Sequence, residues 1–391
     1  MKSISFSTPD TSPWADRRYP EAEGDPRLNY QRDRDRVLHC ESFRKLQHKT
    51  QVFIVHEGDF FRTRITHSLE VAQIGRGLAW LLGLSEPLVE AICLAHDLGH
   101  APFGHAGENA LKDLLKNGWN SNAYSLDIVE NIELQYCERR GLNLTWATRE
   151  GIACHETKHD VPSIVTEYKT YNQPSLEAQV ANISDTIAIN THDVEDALVA
   201  GILEVDALHK LNIDFYERSR RKAEKEFNIA HPEGVWLGVD KEQVLNKRTR
   251  RHMINILILD VCNEYKRRLK KSKVKAIEEA RALDQPLVAF SQGMEAQVDE
   301  LSKFMMGTVY KGLVVARQNF KARYILTNLF NALMNEDSRY LLPQDVQERV
   351  DKGNNQLEIA RFLASLTDRG ASDLYAELFE PTGRAMGHHI V

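Results

Sequence analysis

Thirteen residues limit what this chain can fold into more than any others: His96-Asp97-Leu98-Gly99-His100-Ala101-Pro102-Phe103-Gly104-His105-Ala106-Gly107-Glu108. Three histidines, an aspartate and a glutamate stand among small or apolar residues. The run before them, Leu88 to Ala95, is apolar enough to form a buried helix that delivers His96 and Asp97 into an interior. Each polar group taken there costs desolvation unless it finds a partner. One His-Asp pair can satisfy itself by hydrogen bonding, but a cluster this dense calls for more. Imidazole with carboxylate and no sulfur suits zinc, iron, manganese or a similar divalent ion. The stretch predicts a metal site.

The rest of the chain sets the frame. At 391 residues it calls for one large core with an appended lobe, or two domains. Its 42% apolar and 27% charged residues describe an ordinary globular protein. A formal charge of −6 argues against a general nucleic-acid coat protein. Cys40, Cys93, Cys137, Cys154 and Cys262 are scattered without paired spacing, as expected of reduced thiols in the cytoplasm. Met1 to Pro20 lacks the apolar centre of a signal peptide. No apolar run approaches the ~20 residues that cross a bilayer. The expectation is a soluble, cytoplasmic chain with no membrane partner.

Hydrophobic periodicity reads as all-α. Residues 1–28 read as a poorly ordered lead-in, and 29–200 and 201–391 as the two helical parts. Arg32-Asp33-Arg34-Asp35-Arg36 suits an exposed helix face, and Gln51 to Val55 a short strand or turn-flanking segment. A helix from Thr63 to Gly83 follows, then one opened by Ser85-Glu86-Pro87. Further helices are expected over Glu108 to Lys116, Ser125 to Arg140, from Thr145 and from Leu176 to Ala200. His155 to Pro174 reads as irregular and His231-Pro232-Glu233-Gly234 as a loop, with three or four helices between Gln297 and Phe379.

A metal site needs three or four protein ligands. His67 follows Arg62, Thr63 and Arg64 at the start of the first long helix. Asp185 sits on the otherwise apolar turn Ala181 to Ile187, where a carboxylate is costly unless paired. His67, His96, Asp97 and Asp185 are therefore the candidate ligands.

That order, a lone His, a His-Asp doublet and a distant Asp, resembles the HD superfamily of metal-dependent phosphohydrolases, which are all-α. Arg62 to Arg76, Arg32 to Arg36 with Phe43-Arg44-Lys45-Leu46-Gln47, and Asn190-Thr191-His192-Asp193 narrow the likeness to its deoxyguanosinetriphosphate triphosphohydrolase family. The likeness runs from about residue 29 to 200 and, more faintly, through Thr367-Asp368-Arg369. It implies cleavage of a dNTP to deoxynucleoside and inorganic triphosphate. The same four residues would hold one divalent ion (Mn, Mg, Fe, Co, Ni or Zn). His105 and Glu108 would handle the proton, with Arg64 on the phosphates, Gln47 on the sugar, and His100 and Asp193 at further pocket positions. It also implies a homo-oligomer, often a hexamer, with contacts through the C-terminal helices, and an effector dNTP for some members.

Three positions depart from the family. Ser121 stands where many members have His, and Ile189 and Gly370 where the pattern has Tyr. The two missing tyrosines leave room for a phosphatase or phosphodiesterase acting on another nucleotide, or for a nucleotide-sensing subunit with weak turnover. The basic run Lys266 to Lys273 is open to two readings, a solvated helix face or a contact with single-stranded DNA or an effector.

Overall fold

The computed structural model describes residues 6–21, 24–52, 61–156, 166–230 and 240–381. Helices α1 (Asn29–His39) and α2 (Glu41–Lys45) precede α3 (Arg64–Leu82) and α4 (Glu86–Ala95). Then come α5 (His105–Leu114), α6 (Ser121–Asp127), α7 (Trp146–Ala153) and the long α8 (Leu176–Val199). The second half holds α9 (Val205–Leu211), α10 (Asp214–Ala230), α11 (Lys241–Ser272) and α12 (Ile277–Arg281). It closes with α13 (Gln292–Met305), α14 (Leu313–Leu333), α15 (Gln344–Asp351), α16 (Asn355–Ser365) and α17 (Asp368–Phe379). Among the described residues there is no sheet, only three isolated bridges. The fold is all-α, as the periodicity predicts.

The molecule is built around α4. Leu88, Val89, Ala91, Ile92, Cys93, Leu94 and Ala95 are all buried, and α1, α3, α7 and α8 pack around them. Each large side chain here contributes roughly 1.5–3 kcal/mol by leaving water. Pro87 opens the helix, where its missing N–H is not needed. Its far end places His96 and Asp97 in the interior. The chain then turns at Gly99, where a β-carbon would lie 2.3 Å from the Ser121 carbonyl oxygen and 2.4 Å from the Ser125 nitrogen. Only glycine lets the loop press this closely on α6.

Several local expectations give way to tertiary contacts. Residues 6–21 are no loose lead-in. Phe6 and Ala15 are buried, and Thr8 donates through its N–H (2.9 Å) and hydroxyl (2.7 Å) to Glu177. The Asp10 carboxylate accepts from the first N–H groups of α1. Nor is Arg32 to Arg36 a simple exposed face. Asp33 is fully buried and accepts from Thr145 N and Oγ1, from Thr148 Oγ1 and from Arg17.

The helix expected over Ser125 to Arg140 stops at Asp127, followed by one wider turn to Ile132. Glu133 leaves it to accept from the Glu41 and Ser42 N–H groups at the start of α2. Helix α5 starts at His105 rather than Glu108. Phe103 (φ 65°) and Gly104 (φ 60°) both adopt positive φ and launch it early. Between Gln297 and Phe379 lie the end of α13 and the four helices α14 to α17, within the three or four expected. Most of the short strand expected at Gln51–Val55, the loop at His231-Pro232-Glu233-Gly234 and residues 157–165 of the irregular segment lie outside the described residues.

One continuous apolar cluster runs from Phe6 to Leu374, with a small second one at Ala223, Phe227 and Leu245 between α10 and α11. The two halves share a core.

Candidate metal centre

Three helices meet at the end of α4. His67 comes from the first turn of α3, His96 from the end of α4 and Asp185 from the middle of α8, all buried. One ligand atom from each lies within 4.8 Å of the others. His67 Nε2 is 2.9 Å and His96 Nε2 3.8 Å from Asp185 Oδ1. His96 Nδ1 stands 2.6 Å from the Cys93 carbonyl oxygen. A carbonyl can only accept, so Nδ1 carries the proton and Nε2 keeps its lone pair for the centre. Metal-bound histidines are commonly fixed in this way.

Asp97 stands beside this group. Its Oδ1 accepts from Arg64 (3.1 Å) and lies 3.0 Å from His100 Nε2 and 3.4 Å from His96 Nε2. Its Oδ2 is buried with no hydrogen-bond partner. Asp97 is not one of the three clustered ligands, but its Oδ1 borders His96 and its Oδ2 is left without a partner, which fits a nearby cation. Burial works against ionising Asp97 and Asp185, but the surrounding histidines, with Arg64 for Asp97, hold both well below the usual carboxylate range. Burial pushes His96 down, whereas the Asp185 hydrogen bond outweighs burial at His67 and raises it.

His100 links the centre to the start of α5. Its Nε2 faces Asp97 and its Nδ1 touches Glu108. Burial and Arg64 oppose its charge, but Glu108 and Asp97 prevail and push it up to about 10. Glu108's other oxygen lies 3.3 Å from Nδ1 of His105, whose side chain is 55% exposed. Asp97, His100, Glu108 and His105 thus form one chain from the buried centre to the open side. The sequence places His100 in the pocket without revealing this linking position.

Arg64 is buried, and its backbone N–H donates to the Lys49 carbonyl. Gln47 is exposed on the turn Leu46–His48. Gln51, four residues on, has a buried side-chain oxygen without a hydrogen-bond partner. A β-carbon on Gly104 would sit 3.1 Å from the Gln51 carbonyl and 3.7 Å from Arg64 Nη2. The Gln51 backbone and the Arg64 guanidinium thus both border Gly104. Asp193 is buried and accepts a hydrogen bond from the Tyr310 hydroxyl. Burial pushes Asp193 up to about 6. Tyr310 arrives from the turn after α13, and no local signal in the sequence pairs it with Asp193.

The sequence model of the HD domain matches residues 64–190, and that of the phosphohydrolase-associated domain matches residues 288–377. Proteins named deoxyguanosinetriphosphate triphosphohydrolase-like protein align over nearly the whole chain. The one from Geobacter sulfurreducens is 38% identical over 94% of this chain and 93% of its own. That from Ralstonia nicotianae is 42% identical over 92% and 90%, and that from Bordetella pertussis 38% identical over 97% of each. The chain belongs to this family of HD-domain phosphohydrolases.

The HD match begins at Arg64 and ends at Asn190, so it encloses all four candidate ligands. Tyr310 and Asp368 fall in the associated domain. Asp368 accepts from the N–H groups of Thr50 (3.0 Å) and Phe103 (2.7 Å) and from the Thr50 hydroxyl. It thereby ties the start of α17 to the loops on either side of Arg64. The family departures also separate in space. Ile189 is half-buried on α8 between Asp185 and Asp193. Gly370 lies elsewhere, in the wall of a cavity of about 720 Å³ lined also by Arg44, Lys49, Arg140 and Arg361 but by none of the candidate ligands. Ser121 is buried at the start of α6. Along Lys266 to Lys273, Arg267 and Arg268 are paired with Glu264, while Lys266, Lys270 and Lys271 are exposed. No described helix is long and apolar enough to cross a membrane.

Proposed function

We propose that this phosphohydrolase cleaves deoxynucleoside triphosphates between the 5′ oxygen and the α-phosphorus, releasing deoxynucleoside and inorganic triphosphate. The carrying observation is the convergence of His67, His96 and Asp185, with Asp97 beside His96 and bonded to the buried guanidinium of Arg64. The four would hold one divalent ion, which when bound polarises the α-phosphate and makes a bound water more acidic. Arg64 binds phosphate oxygens with a geometry suited to them. His105, exposed and oriented by Glu108, exchanges a proton with the attacking water or the leaving 5′ oxygen. His100 keeps Glu108 ionised and in place. At the sugar end, Gln47, Gln51 and the Tyr310–Asp193 pair supply the polar contacts, with Tyr310 giving the aromatic face that Ile189 cannot.

The 720 Å³ cavity is the natural seat for an effector dNTP. Arg44 and Arg140 line it as exposed cations, and Lys49 joins it to the centre by donating to the His100 carbonyl at 2.6 Å. Homo-oligomer contacts belong to the C-terminal helices, where Phe320, Tyr324 and Phe379 are exposed. Weak contact with single-stranded DNA falls to the exposed lysines of α11, and the cytoplasm is the place of action.

The test is to incubate the metal-loaded protein with each dNTP and NTP, singly and in mixtures, and to analyse the products. Triphosphate with deoxynucleoside is expected. Monophosphate or pyrophosphate would point to a phosphatase or phosphodiesterase. Nucleotide binding without any turnover would point to a sensing subunit, against which the intact His105–Glu108 contact speaks.

A further inference from the structure

We infer that His155 belongs to the metal centre as a positioning residue, gripping the outer oxygen of Asp185 so that the inner one is presented to the ion. The inference rests on the metal-centre reading above and goes beyond its ligands. His155 follows α7 and is 2% exposed. It reaches the centre because α7 lies hard against α4: at Gly151 a β-carbon would stand 2.4 Å from Ile92 Cδ1.

Asp185 divides its two oxygens. Oδ1 faces His67 and His96, whereas Oδ2 lies 3.4 Å from His155 Nε2. The ring is fixed from the other side as well. Its Nδ1 is 2.9 Å from Asn182 Oδ1, almost one turn before Asp185 on the same helix. Its backbone carbonyl accepts from the Asn122 amide at 2.7 Å. The ring also packs 4.9 Å from that of His96, centroid to centroid. A carboxylate oxygen can rotate away from an ion; one that faces a ring packed between Asn182 and His96 has less room to do so. Its Nε2 faces the outer oxygen of Asp185 rather than the inner one, so it acts on a ligand rather than as one.

Metal-ligand partners of this kind typically contribute about 10–100-fold in metal affinity. The experiment uses the full chain and Mn²⁺, with affinity measured by chelator competition and folding of the metal-free protein followed by circular dichroism. His155→Ala is expected to weaken Mn²⁺ binding about 10–100-fold. His155→Gln keeps a side-chain N–H for Asp185 Oδ2 and is expected to recover most of the loss, and it serves as the test should the alanine variant fail to fold. In an Asp185→Asn background, His155→Ala should have little further effect, because the two act as one unit.

Unchanged affinity in both variants overturns the inference. So does an equal loss in both accompanied, in the Co²⁺-loaded protein, by the spectral change of a lost nitrogen ligand, which would make His155 a direct ligand. A wild-type protein that binds no divalent ion would instead remove the metal-centre reading itself.

Discussion

Tyr310 and Asp193 show what a single contact can decide. The Tyr310 hydroxyl donates to a buried carboxylate, and hydrogen bonds to charged groups contribute about 1.5–3 kcal/mol. Tyr310→Phe should therefore lower kcat/KM for dNTPs roughly 10–100-fold and narrow the gap between dNTPs and NTPs, with metal content unchanged. Parallel kinetics on dGTP and GTP read both effects; an unaltered dNTP-to-NTP ratio would remove Tyr310 from the sugar pocket.

Asp193 itself carries a pH signature. Burial raises its pKa to about 6, so the folded state holds this proton more tightly than the unfolded chain. Its contribution to stability is complete below the ordinary carboxylate range and is lost as pH rises through about 6, amounting to about 2–3 kcal/mol. Urea unfolding of wild type and Asp193→Asn between pH 4 and 7 should show the difference between them changing over this window and level above it. At this scale the sequence was legible where ionisable residues crowd an apolar run, at His96 and Asp97, or stand alone on one, at Asp185. Tyr310 lies 117 residues from Asp193, beyond any local pattern.

Helices with plain signals formed where the sequence put them. Helix α3 ends at Gly83 in the left-handed region, and α4 opens with Pro87. The failures came where another element supplied the cap. Glu133 ends a helix early because it serves the start of α2, and α5 begins early because the loop before it takes positive φ. Asp368 holds that loop. Phe103 adopts a conformation costly for a bulky side chain, and its N–H is secured by the α17 carboxylate. Asp368→Ala leaves the buried Phe103 and Thr50 N–H groups unpaired and should cost about 2–4 kcal/mol. Denaturant unfolding of the metal-free protein measures this. His105 stands two residues beyond Phe103, so kcat should fall in the same variant even at temperatures where it remains folded. Stability loss with unchanged kcat would confine Asp368 to a purely architectural role.

Across the whole molecule, the contacts that bind the two halves were the least legible. Lys49 donates to the His100 carbonyl and, at 2.9 Å, to the Ala364 carbonyl 315 residues away. Its neighbour Thr50 is held by Asp368, 318 residues on. Periodicity reports which face of a helix is buried but not which distant helix covers it. This stitching gives the 720 Å³ cavity a route to the centre. Lys49 is fully buried, and burial lowers its pKa to about 7; it lines the cavity while its ammonium nitrogen holds the carbonyl of the residue that bridges Asp97 and Glu108. An anionic ligand drawn in by Arg44 and Arg140 bears on that lysine and, through it, on His100. If the cavity seats an effector dNTP, Arg44→Glu should abolish activation of one dNTP's hydrolysis by another. Basal turnover and metal content should stay unchanged, because Arg44 lies apart from the ligands. Lys49→Met should retain effector binding, measured by equilibrium dialysis, while losing most of the rate response, because it removes the link and leaves the cavity's cations. Activation that survives Arg44→Glu would place the effector elsewhere. Binding lost in Lys49→Met would make the lysine part of the seat rather than the connection.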